Sequence, residues 1–163
     1  MPTADRQSRT QQAVGQAKAL ADQFAHQMSD MSPMQWRQLR RHLRDAGLLI
    51  ETVRAKLAAG GADVVIRRAT LDPHEFFGEL EPFFEADREA NLLTRILFVD
   101  VTICESVPLR YSGNATVPVE SGPDRTEEHE ISYGAELVGY HLIPGGRRFA
   151  EYEIEAGPVT NAR

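Results

Sequence analysis

The stretch WRQLRRHLRDAGLLIETVRAKL, residues 36–57, sets Trp36, Leu39, Leu43, Ala46, Ile50, Val53 and Leu57 at alternating gaps of three and four. That is the seam of a helix packed along another helix, and polar or charged residues fill most of the positions between until Leu48 and Leu49 widen the stripe. Upstream, Val14, Ala17, Ala21, Phe24, Met28 and Met31 repeat the alternation. Between the two seams Ser32 can cap the second helix, and Pro33 suits its first position because it has no N–H to leave unsatisfied. So short a connection forces the arms antiparallel. The pattern therefore predicts a coiled-coil-like αα-hairpin over 13–61, closed by Gly60-Gly61 as a left-handed cap, behind a flexible 1–12 segment.

One hairpin seam does not use up the apolar width supplied by Leu20, Leu48 and Leu49. A second copy or the rest of the chain must cover it, and the expectation is self-association into a homo-oligomer or docking on a protein partner through Trp36, Leu39, Leu43, Leu48 and Leu49. Arg37, Arg40, Arg41 and Arg44 fall off that seam and form a basic stripe. Such a stripe can grip phosphates, but it has no interleaved aromatics and no second basic helix. Cations that meet the acidic remainder of the chain, or a partner, are the simpler reading, and a nucleic-acid accessory role ranks below it.

Beyond the glycines the pattern changes. Val64-Val65-Ile66 is a β-branched run, and Asp72-Pro73-His74-Glu75 reads as a helix start, with Pro82 dividing the phenylalanine-rich stretch that follows into two short helices. Ile96–Cys104 has the composition of a central strand, with Leu97, Val99, Val101 and Ile103 facing one way. Val107–Tyr111 and Ala115–Val119 read as a hairpin about Ser112-Gly113-Asn114, and Glu120–Glu130 as a polar loop. Ile131–Ile143 and Arg147–Glu155 form a second pair joined at Pro144-Gly145-Gly146. The expected class is α+β: the hairpin, then a mainly antiparallel sheet or small sandwich over 62–156 with one or two short helices on one side, then a loose tail over 157–163.

Charge divides at the same boundary. Residues 1–61 carry nine basic and five acidic side chains, while 62–163 carry nine and nineteen. Opposed charge on one chain favours packing of the two parts on each other or head-to-tail contact between copies. No apolar run approaches the length that crosses a membrane, and the first residues lack the pattern of a secretory signal, so the expected compartment is the cytoplasm. Two lysines against sixteen arginines, with many alanines and glycines, point to a GC-rich bacterial or phage genome.

Catalytic signatures are missing from the sequence: it has no phosphate-binding glycine loop, dinucleotide fingerprint, nucleophile elbow or zinc-protease helix. The lone Cys104 excludes an internal disulfide and reads as a small buried apolar residue. His129 and His141, twelve apart on one strand, would share a face but lie too far apart to share a metal. His74 beside Asp72 and Glu75 is a weak ligand set, because both carboxylates have a capping role. Tyr140 and His141, with Glu151 or Glu153 on the neighbouring strand, could line a pocket mouth, and Tyr140, His141 and Glu153 are its placeholders, although Glu151, Glu153 and Glu155 in alternation read as the wet side of a sheet. No catalytic residue, metal site or cofactor is assigned. The leading expectation is a non-enzymatic assembly or adaptor protein; an enzyme or small-ligand binder is second.

Overall fold

A computed structural model of the chain describes residues 31–86 and 95–156, together with Ala19, Gln23, Phe24, Gln27 and Met28. The expected first arm of the hairpin falls outside the described residues except at Phe24, Met28 and Met31. So do Leu20, the 1–12 segment and the 157–163 tail.

Helix α1, Pro33–Asp45, starts in a reciprocal cap: Ser32 Oγ accepts the Gln35 N–H at 3.2 Å while Gln35 Oε1 accepts the Ser32 N–H at 3.0 Å. It then stops, where the seam had predicted one helix running to Leu57. Gly47, at φ +73°, donates to the Arg44 carbonyl at 3.0 Å, and Leu48 donates to that of Leu43 at 2.7 Å. This pair of bonds closes a helix C-terminus, and only a residue tolerant of left-handed backbone fits between them. Helix α2, Leu49–Ala58, begins on a new axis and ends at Gly60 (φ +83°), where Gly61 bonds back to Lys56 at 2.9 Å. The break costs the seam two members, since Ala46 is exposed and Ile50 is 62% exposed.

Among the described residues five strands make one curled sheet in the order β1-β2-β5-β4-β3. They are β1 (Val64–Val65), β2 (Ile96–Asp100), β3 (Arg110–Gly122), β4 (Arg125–Ile143) and β5 (Arg147–Ala156). β1 runs parallel to β2 and the other pairs are antiparallel, so the sheet is mixed. β2 stops at Asp100, whose Oδ1 accepts the Thr102 N–H at 3.1 Å, and a turn from Val101 to Cys104 leaves Ile103 49% exposed rather than in line with Leu97 and Val99.

The hairpin expected about Ser112-Gly113-Asn114 does not form. Tyr111, Ala115, Val117 and Val119 keep one inward phase straight through it, and the ladder to β4 overrides the turn propensity of the three residues between. The real turn is Pro123-Asp124, with Asp124 at φ 62°, so most of the presumed polar loop lies inside the ladder.

Helices cover both faces of this sheet rather than one. Helix α3, Pro73–Leu80, capped by Asp72, continues into a 3-10 turn over Glu81–Phe83. Its Phe76, Phe77 and Leu80, with Phe84, pack on Leu97, Val99, Val117, Tyr133, Tyr152 and Ile154. On the opposite face Trp36 and Leu43 of α1, Val53 and Leu57 of α2, and Met28 pack on Ile96, Phe98 and Phe149, with Leu39, Leu48 and Leu49 at the margin. Leu48 and Leu49, two of the three residues whose width suggested a second copy, thus pack against the cluster that includes the chain's own sheet.

Candidate functional site

Strand β5 alternates Phe149, Glu151 and Glu153 toward α1 with Ala150, Tyr152 and Ile154 toward α3. The glutamates are not the wet side of the sheet: Glu151 is fully buried and Glu153 is 6% exposed. Glu151 lies in register between Phe98 on β2 and Gly139 on β4, and α1 closes over it. Trp36 donates its indole Nε1–H to Oε2, while Arg40 Nη1 at 2.8 Å and His141 Nε2 at 2.9 Å converge on Oε1. A carboxylate only accepts, so His141 Nε2 carries the hydrogen in this contact. A buried anion without such partners would cost several kcal/mol; two ring N–H groups and a guanidinium repay that cost here.

One helical turn toward the N-terminus of α1, Arg37 meets Glu153 through Nε at 2.9 Å and Nη2 at 2.8 Å, and its Nη2 lies 3.7 Å from Glu155. Burial pushes the Glu153 carboxyl above its ordinary range; Arg37 pulls it down, and Glu151 and Glu155 add to the rise. Spacing of three on a helix and two on a strand thus delivers two arginines to two glutamates. Arg41 and Arg44, one turn beyond Arg37 and Arg40, are exposed.

The three residues offered as a pocket lining are not brought together. A bulge at Leu137–Gly139 inserts Val138 into β4 and reverses the facing of everything after it. His141 turns toward α1 and bonds Glu151. Tyr140 turns the other way, 44% exposed beneath the Arg148 guanidinium, whose carbon sits 5.2 Å from the ring centroid. The same bulge overturns the expectation that His129 and His141 share a face, since His129 lies opposite Val117 in the α3-side phase. Elsewhere His74 Nδ1 is bound to the Tyr111 hydroxyl at 2.9 Å, and Asp72 Oδ1 accepts the Glu75 N–H at 2.9 Å. Among the described residues no group of three His, Cys, Asp or Glu is placed to hold a metal ion.

The concavity lies instead beside Arg37, on the α1 face of β3, β4 and β5: a cleft of about 330 Å³ that includes Arg110, Ser112, Gly134, Glu136, Glu153 and Glu155 in its lining. Of the expected pocket residues only Glu153 borders it. The sequence offers Glu151 only as an alternative to Glu153 beside His141 and otherwise reads it as solvent-facing, so its burial is not foreseen. A usable signal was present: Phe149 shares the phase of Glu151 and Glu153, so that phase could not be entirely solvent.

Chemically the cluster around Glu151 is closed. Its oxygens are occupied by three donors and it has no exposed surface on which to take a proton from a substrate. Cys104 is buried, its thiol contacts the Arg68 carbonyl at 3.3 Å, and burial pushes its pKa up, away from the thiolate a nucleophile needs. No described helix is long and apolar enough to cross a membrane. The chain matches no known family model, no curated protein and no solved structure.

Proposed function

We propose that the chain is a non-enzymatic assembly or adaptor protein that docks a protein partner, or a second copy of itself, through the outer surface of its N-terminal helices. One observation carries the reading, the two-sidedness of α1. Its inner side is anchored by Trp36, Leu43, Arg37 and Arg40 to buried groups of the sheet, while Met34 (68% exposed) and Arg41 stand away from it, with Arg44 exposed one turn beyond Arg40 and Ile50 exposed on α2. A helix held this firmly presents its outer residues at little cost in ordering, which favours docking.

The partner surface that suits these residues is acidic with apolar spots, and β4 of a second copy, with exposed Glu127, Glu128 and Glu130, has the acidity. Arg37 and Arg40 spend their charge inside the chain, so a phosphate-gripping stripe is reduced to Arg41 and Arg44, and nucleic-acid binding is the weaker reading. Light scattering of the full chain at low and moderate salt tests the proposal. A mass above the monomer at low salt, lowered in Arg41→Glu/Arg44→Glu, is the expected result. A monomer at both salts, with the double variant indistinguishable from wild type, contradicts the self-docking form; catalytic turnover by that monomer removes the adaptor reading as well.

A further inference from the structure

The outer edge of β4 is covered for only part of its length. β3 pairs with it as far as Arg110 opposite Glu136, and the Leu137 N–H still reaches the Leu109 carbonyl at 2.9 Å. There the line of β3 ends, because the Pro108 carbonyl accepts the Tyr152 hydroxyl of β5 and Val107 is buried in the α3-side core. β4 itself runs on to Ile143 with β5 on its inner side. Among the described residues nothing pairs with residues 138–142 on the outer side.

Chain direction and chirality fix which backbone groups are left open there. Residues of one strand whose side chains share a face send their N–H and C=O to the same edge. Leu137 packs toward α3 and bonds outward to Leu109. Beyond the bulge Tyr140 and Leu142 also face α3, so their N–H and C=O groups point outward, without partners among the described residues. Beside these groups stand exposed apolar side chains: Tyr140, Leu142 and, where β3 ends, Leu109. β3, the last strand of the sheet among the described residues, has an edge of another kind. By the same alternation its outward groups belong to Arg110, Ser112, Asn114, Thr116 and Pro118, which are exposed, mostly polar, and include a residue with no N–H. Charge and proline keep an edge from taking a further strand. Residues 138–142 have neither, since His141 is turned inward to Glu151.

We propose that this edge takes an extended segment of a protein partner as an added strand, in line with β3, antiparallel to β4, and apolar at the alternate positions that face α3. Backbone groups repeating at every second residue are matched together only by another extended backbone, and the exposed Tyr140, Leu142 and Leu109 set its side-chain preference. The end of β3 and the turn at Pro144-Gly145-Gly146 limit the paired length to about five residues, roughly 17 Å. A second copy fits poorly: two such edges paired antiparallel about Tyr140 would drive the turn of each copy into the end of β3 of the other. The edge is separate from the outer surface of α1, and neither proposal depends on the other.

The test is a titration of the full chain at neutral pH with a capped peptide of alternating valine and threonine ended by lysines, followed by amide chemical shifts and hydrogen exchange. The expected result is saturable shifts at Leu109 and residues 138–142, with slowed exchange of the Tyr140 and Leu142 amides. In antiparallel pairing the peptide residues that face α3 also direct their N–H groups at β4. N-methylation of the valines therefore weakens binding at least about tenfold, and N-methylation of the threonines changes it by less than about twofold. Leu142→Lys, at a side chain 66% exposed, puts a charge on the edge and weakens binding about tenfold while leaving the unfolding midpoint in place. Shifts that never saturate, equal or reversed effects of the two methylations, or unchanged affinity in Leu142→Lys would overturn the assignment. So would the same shifts appearing with rising protein concentration alone, which would put a second copy on the edge.

Discussion

Toward α3, β5 sends Ala150, Tyr152 and Ile154 into a core of Phe76, Phe77, Leu80 and Phe84; toward α1 the same strand sends Phe149, Glu151 and Glu153. The first side is held by non-directional burial. Its phenols sit at the rim of the apolar mass and donate outward, Tyr152 to the Pro108 carbonyl and Tyr133 to Glu81, each at 2.6 Å. The second side adds to its apolar packing directional bonds to buried charge, which require Trp36, Arg40 and His141 to be in place together. An apolar core tolerates a shift of its covering helix by fractions of an ångström, whereas a carboxylate with three donors does not. The difference assigns α3 the role of a lid on a core and α1 that of a keyed part.

The comparison can be broken most directly at Trp36. Trp36→Ala removes both the largest apolar side chain of the α1 side and a donor to Glu151, and is expected to cost about 4 kcal/mol in denaturant unfolding. Arg40→Met keeps the aliphatic stem and deletes the charge, leaving Glu151 without its cation; the expected loss is about 3 kcal/mol. On the other side Tyr152→Phe deletes one hydrogen bond and keeps the ring, and is expected to cost about 1 kcal/mol. If Tyr152→Phe proves as damaging as Arg40→Met, the two sides do not differ as described.

The smallest effect concerns pH. The Glu153 pKa is raised above its ordinary 4.5 mainly by burial, so the fold prefers the neutral acid. Its contribution is full below about 4.5 and is lost as the pH rises through the folded-state value. Wild type should therefore lose stability relative to Glu153→Gln as the pH climbs from below that value to neutrality. A gap that moves the other way would show that Arg37 more than repays the burial.

How far the sequence disclosed these two sides follows from the kind of signal each leaves. Asp72, Pro73 and the phenylalanines marked α3 because capping and apolar periodicity are local. The β4–β5 hairpin was legible at Pro144-Gly145-Gly146 for the same reason. The α1 side was read as half of a coiled coil because Trp36, Leu39 and Leu43 carry a helix-packing spacing whether the partner is a helix or a sheet. Gly47 was the local warning that the seam did not run to Leu57. Only the shared phase of Phe149 hinted that Glu151 is buried, and nothing local pointed to its partner Trp36, 115 positions away in sequence. The bulge at Val138, which turns His141 rather than Tyr140 toward Glu151, likewise depends on register with β5. The cleft at Gly134 was invisible because it arises from a missing side chain opposite Glu155, a fact about three strands together.

The most direct test of the keyed helix is a double-mutant cycle on Arg40 and Glu151, using Arg40→Met, Glu151→Leu and the pair, with unfolding free energies from denaturant titration. The account predicts that the double variant recovers much of what either single change loses, with a coupling above about 1.5 kcal/mol. Single effects that add to within about 0.5 kcal/mol would contradict it and reduce the contact to an ordinary surface ion pair.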